Sequence, residues 1–382
     1  MRSAIRSFRN WVLASCAAAP LFSIAPALAA GVEQTNLVSD MPGLALVTDP
    51  SLVNPWGMAT SGTSPWWISD NGTGLSTLYN GTTGVKSATV VTILPEAGGV
   101  PPSAPTGQVF NNTSGFVLSN GTKASFIFST ENGTIAGWNG AAGSTAITMA
   151  DLSSQGSVFK GLAIGSVGSA NYLYATDFAH GSVQVFNTGF TPTTLGGGFT
   201  DPNLPSGYAP FGIQNLGGKI YVTYAEQGDN GDEIDALGLG LVDVFDTGGN
   251  LISRVATGGT LDAPWGLAIA PSGFGAFSND LLVGNFGDGT INAYDPDTFG
   301  YLGQLLDRDG NVISIDGLWA LGTGNGGNSG NPNGLYFTAG PNDESNGLFG
   351  VLSVPEPATW TLLLIGFGAA GFGLRRRRVC IA

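Results

Sequence analysis

One short motif recurs six times along this chain at a nearly constant interval. A Pro-x-Gly or x-Gly step opens an apolar stretch, and its third position falls at Gly57, Gly107, Gly161, Gly212, Gly266 and Ala320. The successive intervals are 50, 54, 51, 54 and 54 residues. Self-similarity at such a period is the signature of a repeat architecture, so we expect one structural unit per interval, each stacked on its neighbours.

Each unit also contains further short apolar stretches separated by Gly, Asn and Asp. The second stretches are Trp66–Asp70, Ser125–Thr130, Tyr172–Asp177, Ile220–Tyr224, Leu281–Asn285 and Leu335–Ala339. Asn-Gly steps such as Asn71-Gly72 and Asn132-Gly133 favour hairpin turns, because both residues tolerate positive φ. Four strands of about five residues per unit predict an all-β protein, a six-bladed β-propeller of four-stranded blades. Two packed β-sandwiches are the alternative fold.

The two ends of the repeat region complement each other. The last unit has three strands, starting near Trp319, Leu335 and Leu348, and lacks an outer strand, whereas an extra strand-like stretch precedes the first unit. We therefore predict that Gln34–Ser39 pairs with Leu348–Val354 as the outer strand of the last blade. This pairing would close the ring and remove an open sheet edge.

Both termini carry targeting patterns. Arg2, Arg6 and Arg9, an apolar stretch and Ala27-Leu28-Ala29 predict a secretory signal peptide over residues 1–30. At the other end, Pro355-Glu356-Pro357 is followed by the 17-residue apolar run Ala358–Leu374 and then by Arg375, Arg376, Arg377 and Arg378. That run predicts a short transmembrane helix whose basic end stays in the cytoplasm.

The segment Val354–Val379 resembles the PEP-CTERM sorting signal, which an exosortase reads in Gram-negative bacteria. The resemblance implies export through the secretion machinery, transient anchoring in the inner membrane, processing, and a location at the cell surface with exopolysaccharide; a permanent single-pass anchor is the alternative. Four further motifs make residues 31–353 similar to a family of uncharacterised exported PEP-CTERM proteins related to NHL-type six-bladed propellers: Thr35–Asp40, Asn54–Gly57, Val242–Asp246 and Asp316–Leu321.

The charge of the chain is strongly unbalanced. Three of its 13 basic residues lie in the leader and four in the tail, which leaves six against 27 acidic residues, a net charge of −21 for the part between. Such a surface disfavours nucleic acid and anionic lipid as partners, and it suits cation binding or solubility outside the cell.

The second strand of most units ends on a polar residue. In a propeller these strand ends lie near one mouth of the central tunnel that the blades surround. The polar residues are Asp70, Glu131, Asp177 and Asn285, with Tyr224 and Ala339 at the other two ends. Their oxygens predict a calcium site, as in calcium-dependent propeller lactonases, because Ca²⁺ takes six to eight oxygen ligands. The alternative is that each Asp or Asn opens a turn by bonding its own backbone.

Other polar segments favour structural roles. His180 lies in a turn with no G-x-S-x-G elbow nearby, which predicts a solvated residue. The acidic segment Gly228–Asp235 lacks EF-hand spacing and is either a surface calcium site or a solvated loop. Asp307–Asn311 predicts a hairpin turn.

Tryptophans fall into two sets. Trp56, Trp265 and Trp319 recur at one position of the repeat, which predicts packing between blades. Trp66, Trp67 and Trp138 do not recur, so we expect them on a ligand-binding surface. The sequence thus predicts an exported propeller that binds a ligand or polysaccharide matrix; the alternative is a calcium-dependent lactonase-like hydrolase.

Overall fold

A computed structural model describes residues 31–355 of the chain as 26 β-strands in six sheets, with three single-turn 3-10 helices at Gly140–Ala142, Ser153–Gln155 and Gly275–Phe277. Within this range no helix has both the length and the apolar character needed to span a bilayer. The predicted signal peptide, the transmembrane run 358–374 and the sorting residues from Glu356 to Arg378 lie outside the described residues. The all-β prediction is confirmed.

The six sheets are the blades of a propeller, and each runs from an innermost first strand to an outer strand. Blade one consists of β3 Pro55–Ala59, β4 Trp66–Asp70, β5 Leu75–Tyr79 and β6 Val91–Thr92. Blade two consists of β7 Pro105–Phe110, β8 Phe126–Thr130, β9 Thr134–Trp138 and β10 Ile147–Asp151. Blade three consists of β11 Phe159–Val167, β12 Ala170–Asp177, β13 Ser182–Phe186 and β14 Pro192–Thr193. Blades four and five consist of β15 Tyr208–Leu216, β16 Lys219–Gln227, β18 Leu241–Asp246, β19 Leu251–Thr257; and β20 Pro264–Ile269, β21 Leu281–Asn285, β22 Ile291–Tyr294, β23 Tyr301–Gln304. A short strand, β17 Glu233–Ile234, pairs with β16.

Blade six joins the two ends of the domain. It consists of β24 Leu318–Thr323, β25 Leu335–Ala339 and β26 Leu348–Ser353, with β1 Glu33–Ser39 as the next strand and β2 Val47–Thr48 at its edge. β1 runs antiparallel to β26, with Gln34 opposite Leu352 and Ser39 opposite Leu348. The predicted closure is therefore confirmed, and the first strands β24 and β3 are in contact across the junction.

Hydrophobic packing lies mainly between blades. Alternate residues of each second strand face opposite neighbours, since side chains alternate along a strand. Trp67 of β4, for example, stacks on Phe126 of blade two with ring centroids 4.1 Å apart, whereas Trp66 packs on Tyr336 of blade six at 5.4 Å. This alternation decides which neighbouring blade each residue of a second strand contacts.

The glycine of the repeated motif allows the first strands to approach one another. A Cβ on Gly212 would lie 2.2 Å from the carbonyl oxygen of Trp265 in the next blade, and one on Gly107 would lie 2.1 Å from the amide nitrogen of Leu162. Hydroxyl groups add bonds at the same junctions: Thr176 Oγ1 donates to the Phe211 carbonyl at 2.7 Å, and Thr106 Oγ1 donates to the Phe159 carbonyl at 2.7 Å. The motif therefore sets the spacing of the blades.

Replacing Gly212 with alanine should lower the free energy of unfolding by about 2–3 kcal/mol, since the new methyl group would overlap the backbone of the next blade. Chemical denaturation of the purified propeller measures the change. Gly161→Ala is the matched control, because a Cβ there would meet its nearest atom, the Phe211 carbonyl oxygen, at 3.1 Å. Equal losses in the two variants would contradict this role for the glycine.

Candidate functional site

Two sets of residues close one end of the central tunnel. The first set consists of the residue at the middle position of the repeated motif in each blade. In each blade the first residue of the motif pairs with a residue of the second strand, and the second set consists of the residue that follows this partner in sequence. We call these twelve residues the plug: Trp56, Thr106, Lys160, Phe211, Trp265, Trp319, Asn71, Glu131, Phe178, Ala225, Phe286 and Gly340. Seven of them, from five different blades, belong to one buried cluster or pack against it, and only the propeller axis can bring such residues together.

Aromatic rings fill most of the plug. Trp56 stacks on Trp319 with ring centroids 3.6 Å apart and meets Trp265 edge-on at 6.3 Å and Phe211 at 6.4 Å. Blades one and four face each other across the tunnel, so these contacts cross the axis. The prediction that Trp56, Trp265 and Trp319 pack between blades is confirmed, and the structure places these contacts on the axis, because the middle position of the motif points inward.

Lys160 is the one cation among the plug residues, and its side chain is only 3% exposed. Its Nζ lies 2.7 Å from Glu131 Oε1, 3.3 Å from Glu233 Oε2 and 3.8 Å from Asp232 Oδ1. The same atom lies 5.0 Å from the ring centroid of Trp56, a cation–π distance. Burial opposes the charge on Lys160, but the carboxylates outweigh it, so the pKa of Lys160 is raised above its usual value.

The acidic insertion of blade four supplies two of these carboxylates. Glu233 opens β17 and its side chain is 5% exposed, while Asp232 stands before it and remains largely exposed. Burial raises the pKa of Glu233, and Lys160 opposes that shift. The segment 228–235 is largely exposed, as the solvated-loop alternative predicted, but its Glu233 turns inward and reaches a buried cation. The surface calcium site stays a prediction.

A strained turn brings a third glutamate to the same end of the tunnel. Asn342, Asp343 and Glu344 have φ values of 59°, 50° and 62°, a run of left-handed conformation that non-glycine residues seldom adopt. Glu344 Oε2 accepts a hydrogen bond of 2.6 Å from Asn54 Nδ2, and Asn54 Oδ1 accepts one of 3.0 Å from Trp319 Nε1. Burial raises the pKa of Glu344 to about 7.

Stability should rise as the pH falls from about 8 to about 5. Burial raises the pKa of Glu344 to about 7 and that of Asp262 to about 6, and burial also places that of Asp70 well above its usual range. Each folded-state pKa exceeds its unfolded value, so the folded protein binds more protons across this window, and raising the pH through it destabilises the fold. Thermal melts should show a midpoint several degrees higher at the acidic end.

The variant Glu344→Gln should flatten that pH profile, because it removes one of the titrating groups. Carboxyl groups with lowered pKa values, such as those of Asp49 and Asp151, contribute stability that is lost only at more acidic pH. They therefore do not oppose the rise in stability between pH 8 and pH 5. A midpoint that increases steadily from pH 5 to pH 8 would contradict the assignment.

The four residues predicted to bind calcium do not share one orientation. Pro55 pairs with Asp70, Phe159 with Asp177 and Pro264 with Asn285, whereas the corresponding partner of Pro105 is Thr130. Glu131 is therefore one residue out of phase with the other three. A shift of one residue turns a side chain to the opposite face, so Glu131 points into the plug while the others point between blades.

Asp177 and Asn285 make hydrogen bonds with nearby groups, whereas the carboxylate of Asp70 makes none with the described residues. Asp177 accepts a hydrogen bond of 3.2 Å from the Val158 amide and lies 2.9 Å from Nδ1 of His180, which is half-exposed in its turn. Asn285 Nδ2 donates to the Thr260 carbonyl at 2.8 Å, and Asp70 is fully buried. Among residues 31–355, no group of three or more His, Cys, Asp or Glu side chains is arranged to hold a metal ion.

Calcium binding stays a prediction, which a calcium titration followed by thermal melting tests. We expect an increase of several degrees in the midpoint if the ion binds the folded chain, since a ligand that binds only the folded state stabilises it. Asp177→Ala is the control. An unchanged midpoint in both proteins would remove the metal hypothesis.

The opposite end of the tunnel is an open cavity of about 610 Å³, which we call the funnel. The C-terminal halves of the first strands of blades one, two, three, four and six frame it. None of the described residues that line it is charged; its polar residues include Thr60, Asn112, Ser166, Gln214, Asn215 and Thr323. A narrower chamber of about 20 Å³ lies between the funnel and the plug, with Trp265 among its lining residues.

Gln108 connects the funnel and the inner chamber. Its Oε1 accepts hydrogen bonds from Ser69 Oγ at 3.0 Å and from Ser76 Oγ at 3.1 Å, which fixes the amide. Its Nε2 is buried and has no hydrogen-bond partner among the described residues. An unpaired buried donor is costly, so this group favours an acceptor that enters from the funnel.

Of the three tryptophans predicted to bind a ligand, the structure brings one to a cavity. Trp66 lines the funnel wall, although it is only 3% exposed and packs on Tyr336, so its contact with a ligand stays a prediction. Trp67 is 4% exposed and packs on Phe126 and Trp138, in the contact between blades one and two. Trp138 is partly exposed at the edge of that contact. The position of Trp67 differs from the exposed surface that we predicted, because it alternates with Trp66 along β4.

Sequence reasoning missed Lys160 and its pairing with Glu233, although a signal for Lys160 was present. The middle position of the motif is occupied by Trp, Thr, Lys, Phe, Trp and Trp, so a lysine stands among mainly aromatic residues. Charge at a position that is otherwise apolar marks a buried ion pair. Glu233 belongs to the acidic insertion noted in the sequence, but no local pattern shows which of its carboxylates turns inward. The Asp307 turn was found correctly: Leu306 pairs with Val312 across it.

Comparison with known proteins gives a match at the C-terminal end and two relatives along most of the length. The family model described as "PEP-CTERM protein-sorting motif" matches residues 353–378. "Uncharacterized protein R648" of Acanthamoeba polyphaga mimivirus is 32% identical over 354 residues, which cover 88% of this chain and 84% of that protein. "Uncharacterized protein L690" of the same virus is 30% identical over 335 residues, which cover 83% of this chain and 84% of that protein.

Among solved structures, a protein of unknown function from Bacteroides thetaiotaomicron has a similar fold. It superposes with a TM-score of 0.51 at 12% sequence identity, over 85% of this chain and 76% of that one. At this identity the likeness concerns the fold alone.

Proposed function

This chain belongs to the same family as the two mimivirus proteins, and we propose that it is an exported β-propeller that binds a neutral carbohydrate in its funnel. The matched sorting motif implies export, processing by an exosortase and sorting to the cell surface. The observation that carries the proposal is a cavity of about 610 Å³ lined only by uncharged described residues, in a chain of net charge −14.

The funnel has the chemistry that a polyhydroxylated ligand requires. Its volume is in the range of ligand pockets, which combine apolar walls with a few fixed polar groups. Trp66, Met58 and Leu321 provide apolar surface, while Gln108 and Gln214 offer amide groups near the bottom. Acid–base catalysis needs a titratable group within hydrogen-bond reach of the substrate, whereas the described lining residues supply amides and hydroxyls, which supports binding.

Charge also limits the class of ligand. A chain with this excess of acidic residues repels polyanions at long range. Uronate-rich or sulfated polymers are therefore disfavoured relative to neutral glycans. A segment of an exopolysaccharide fits both this preference and the exported location that the sorting motif implies.

A glycan array with matched neutral and acidic oligosaccharides, followed by calorimetry on the best ligand, tests the proposal. We expect binding to neutral glycans only. Gln214→Ala should weaken binding about tenfold, since it removes a polar contact worth about 1.4 kcal/mol. The side chain of Gln214 makes no hydrogen bond to another described residue, so this variant should keep the stability of the fold.

Gln184→Ala is the matched control, because Gln184 lies on β13, away from the lining of the funnel. It should bind as the unchanged protein does. Binding to acidic glycans alone, or the absence of binding to every glycan tested, would overturn the proposal.

A further inference from the structure

The chain leaves the propeller beside the funnel. In blade six, Thr323 pairs with Leu335, Leu335 with Leu352, and Leu352 with Gln34. Thr323 lines the funnel, and neighbouring strands are about 4.8 Å apart, so Leu352 lies about 10 Å from the funnel rim. The last described residue, Pro355, follows three positions later. The segment that carries the sorting motif therefore starts on the funnel face.

Charged residues are distributed unevenly between the two faces of the propeller. Within residues 31–355, the six loops that join first to second strands, which surround the funnel, contain one acidic residue, Asp280, and one basic residue, Lys123. The six loops that join second to third strands lie at the plugged end and contain eight acidic residues: Glu131, Asp229, Asp232, Glu233, Asp235, Asp288, Asp343 and Glu344. The loops that join third to fourth strands also lie at the funnel end, and they add Asp295, Asp297 and Lys86. The funnel face is thus close to neutral and the plugged face strongly acidic.

We infer that the funnel face is the surface that this protein presents to a lipid bilayer while its C-terminal segment is attached. The apolar run that begins at Ala358 is six residues from Leu352, a reach of at most about 20 Å. Such a short connection holds the nearest face of the propeller against the membrane surface. An anionic leaflet repels the plugged face and tolerates the neutral one, so charge selects the same orientation as the connection. The orientation does not depend on the identity of any ligand.

Site-directed fluorescence quenching tests the orientation in the full chain. The two cysteines of the sequence, Cys16 and Cys380, are replaced by serine, and one new cysteine is labelled with a fluorophore. Ser119→Cys reports on the funnel face in blade two, and Ser345→Cys reports on the plugged face in blade six; both serines are exposed. The protein is reconstituted in vesicles of phosphatidylethanolamine and phosphatidylglycerol that contain a lipid with a spin-labelled head group.

We expect quenching several-fold stronger at position 119 than at position 345, although blade six holds the attachment point. Equal quenching at the two positions, stronger quenching at 345, or none at either would overturn the inference. A chain that ends at Pro355 should show no quenching at either position and serves as the control. The glycan-binding measurements are independent, so failure of the proposed function would leave this result unaffected, and the reverse also holds.

Discussion

Replacement of Lys160 by methionine is expected to lower the free energy of unfolding by about 3–5 kcal/mol, because it leaves the buried Glu233 and the partly buried Glu131 without a counter-charge. Glu131 lies 2.7 Å and Glu233 3.3 Å from the ammonium group that would be lost. Methionine fills much of the same space, so the loss would report the charge rather than a cavity. Equilibrium denaturation in urea measures it.

Two further variants separate the ion pair from general damage to the plug. Lys123→Met removes a lysine that is exposed, and it should change stability by less than about 0.5 kcal/mol. The triple variant Lys160→Met, Glu131→Gln, Glu233→Gln removes both charge signs and should recover most of the loss, because neutral replacement of a buried ion network is often tolerated. A triple variant no more stable than Lys160→Met would show that the cost arises from packing.

Val38→Asp is expected to open the closing blade and to lower the free energy of unfolding by about 3–5 kcal/mol, because it buries a carboxylate at a fully enclosed position of β1. β1 is the strand that ties the first residues of the domain to β26. Neighbouring contacts reinforce it, since Ser39 Oγ donates to the Gly347 carbonyl at 2.7 Å. Hydrogen exchange should therefore quicken first in β1 and β26.

Gln34→Asp is the control for that variant. It lies on the same strand at an exposed position, so it introduces the same charge without burial and should leave stability and exchange nearly unchanged. If Val38→Asp caused exchange to quicken in all six blades equally, the ring would unfold as one cooperative unit, and the role of β1 as a local closure would be contradicted.

The fold could be predicted because its determinants repeat. Every interval of the motif carries its own strands and turns, and the glycine at Gly57, Gly212 or Gly266 is needed wherever two first strands come close together. Even the closure by β1 followed from counting strands, since a blade with three strands needs a fourth. Local pattern and tertiary arrangement coincide in a repeat protein, because each unit makes the same contacts with its neighbours.

The candidate site was predicted less well, because it depends on the direction in which each side chain leaves its strand and on residues inserted into the repeat. Glu131 seemed equivalent to Asp70 and Asp177 in sequence, yet the register assigns Thr130 to their position. One residue of offset reverses the direction of a side chain, and no local pattern fixes that offset in a strand flanked by polar residues. Trp66 and Trp67 illustrate the same limit: they are adjacent in sequence, and they face different blades.

The sequence alone determined the number of blades, the way the ring closes and the presence of the C-terminal sorting motif, since each of these is encoded in local order along the chain. Only the tertiary structure decided that Trp56, Phe211, Trp265 and Trp319 meet on the axis, and that Glu233 of an insertion reaches Lys160. Only the tertiary structure also separated a neutral funnel face from an acidic plugged face. The reason is physical: residues about 50 positions apart become neighbours only when six blades surround one axis, and burial then gives each side chain its charge environment.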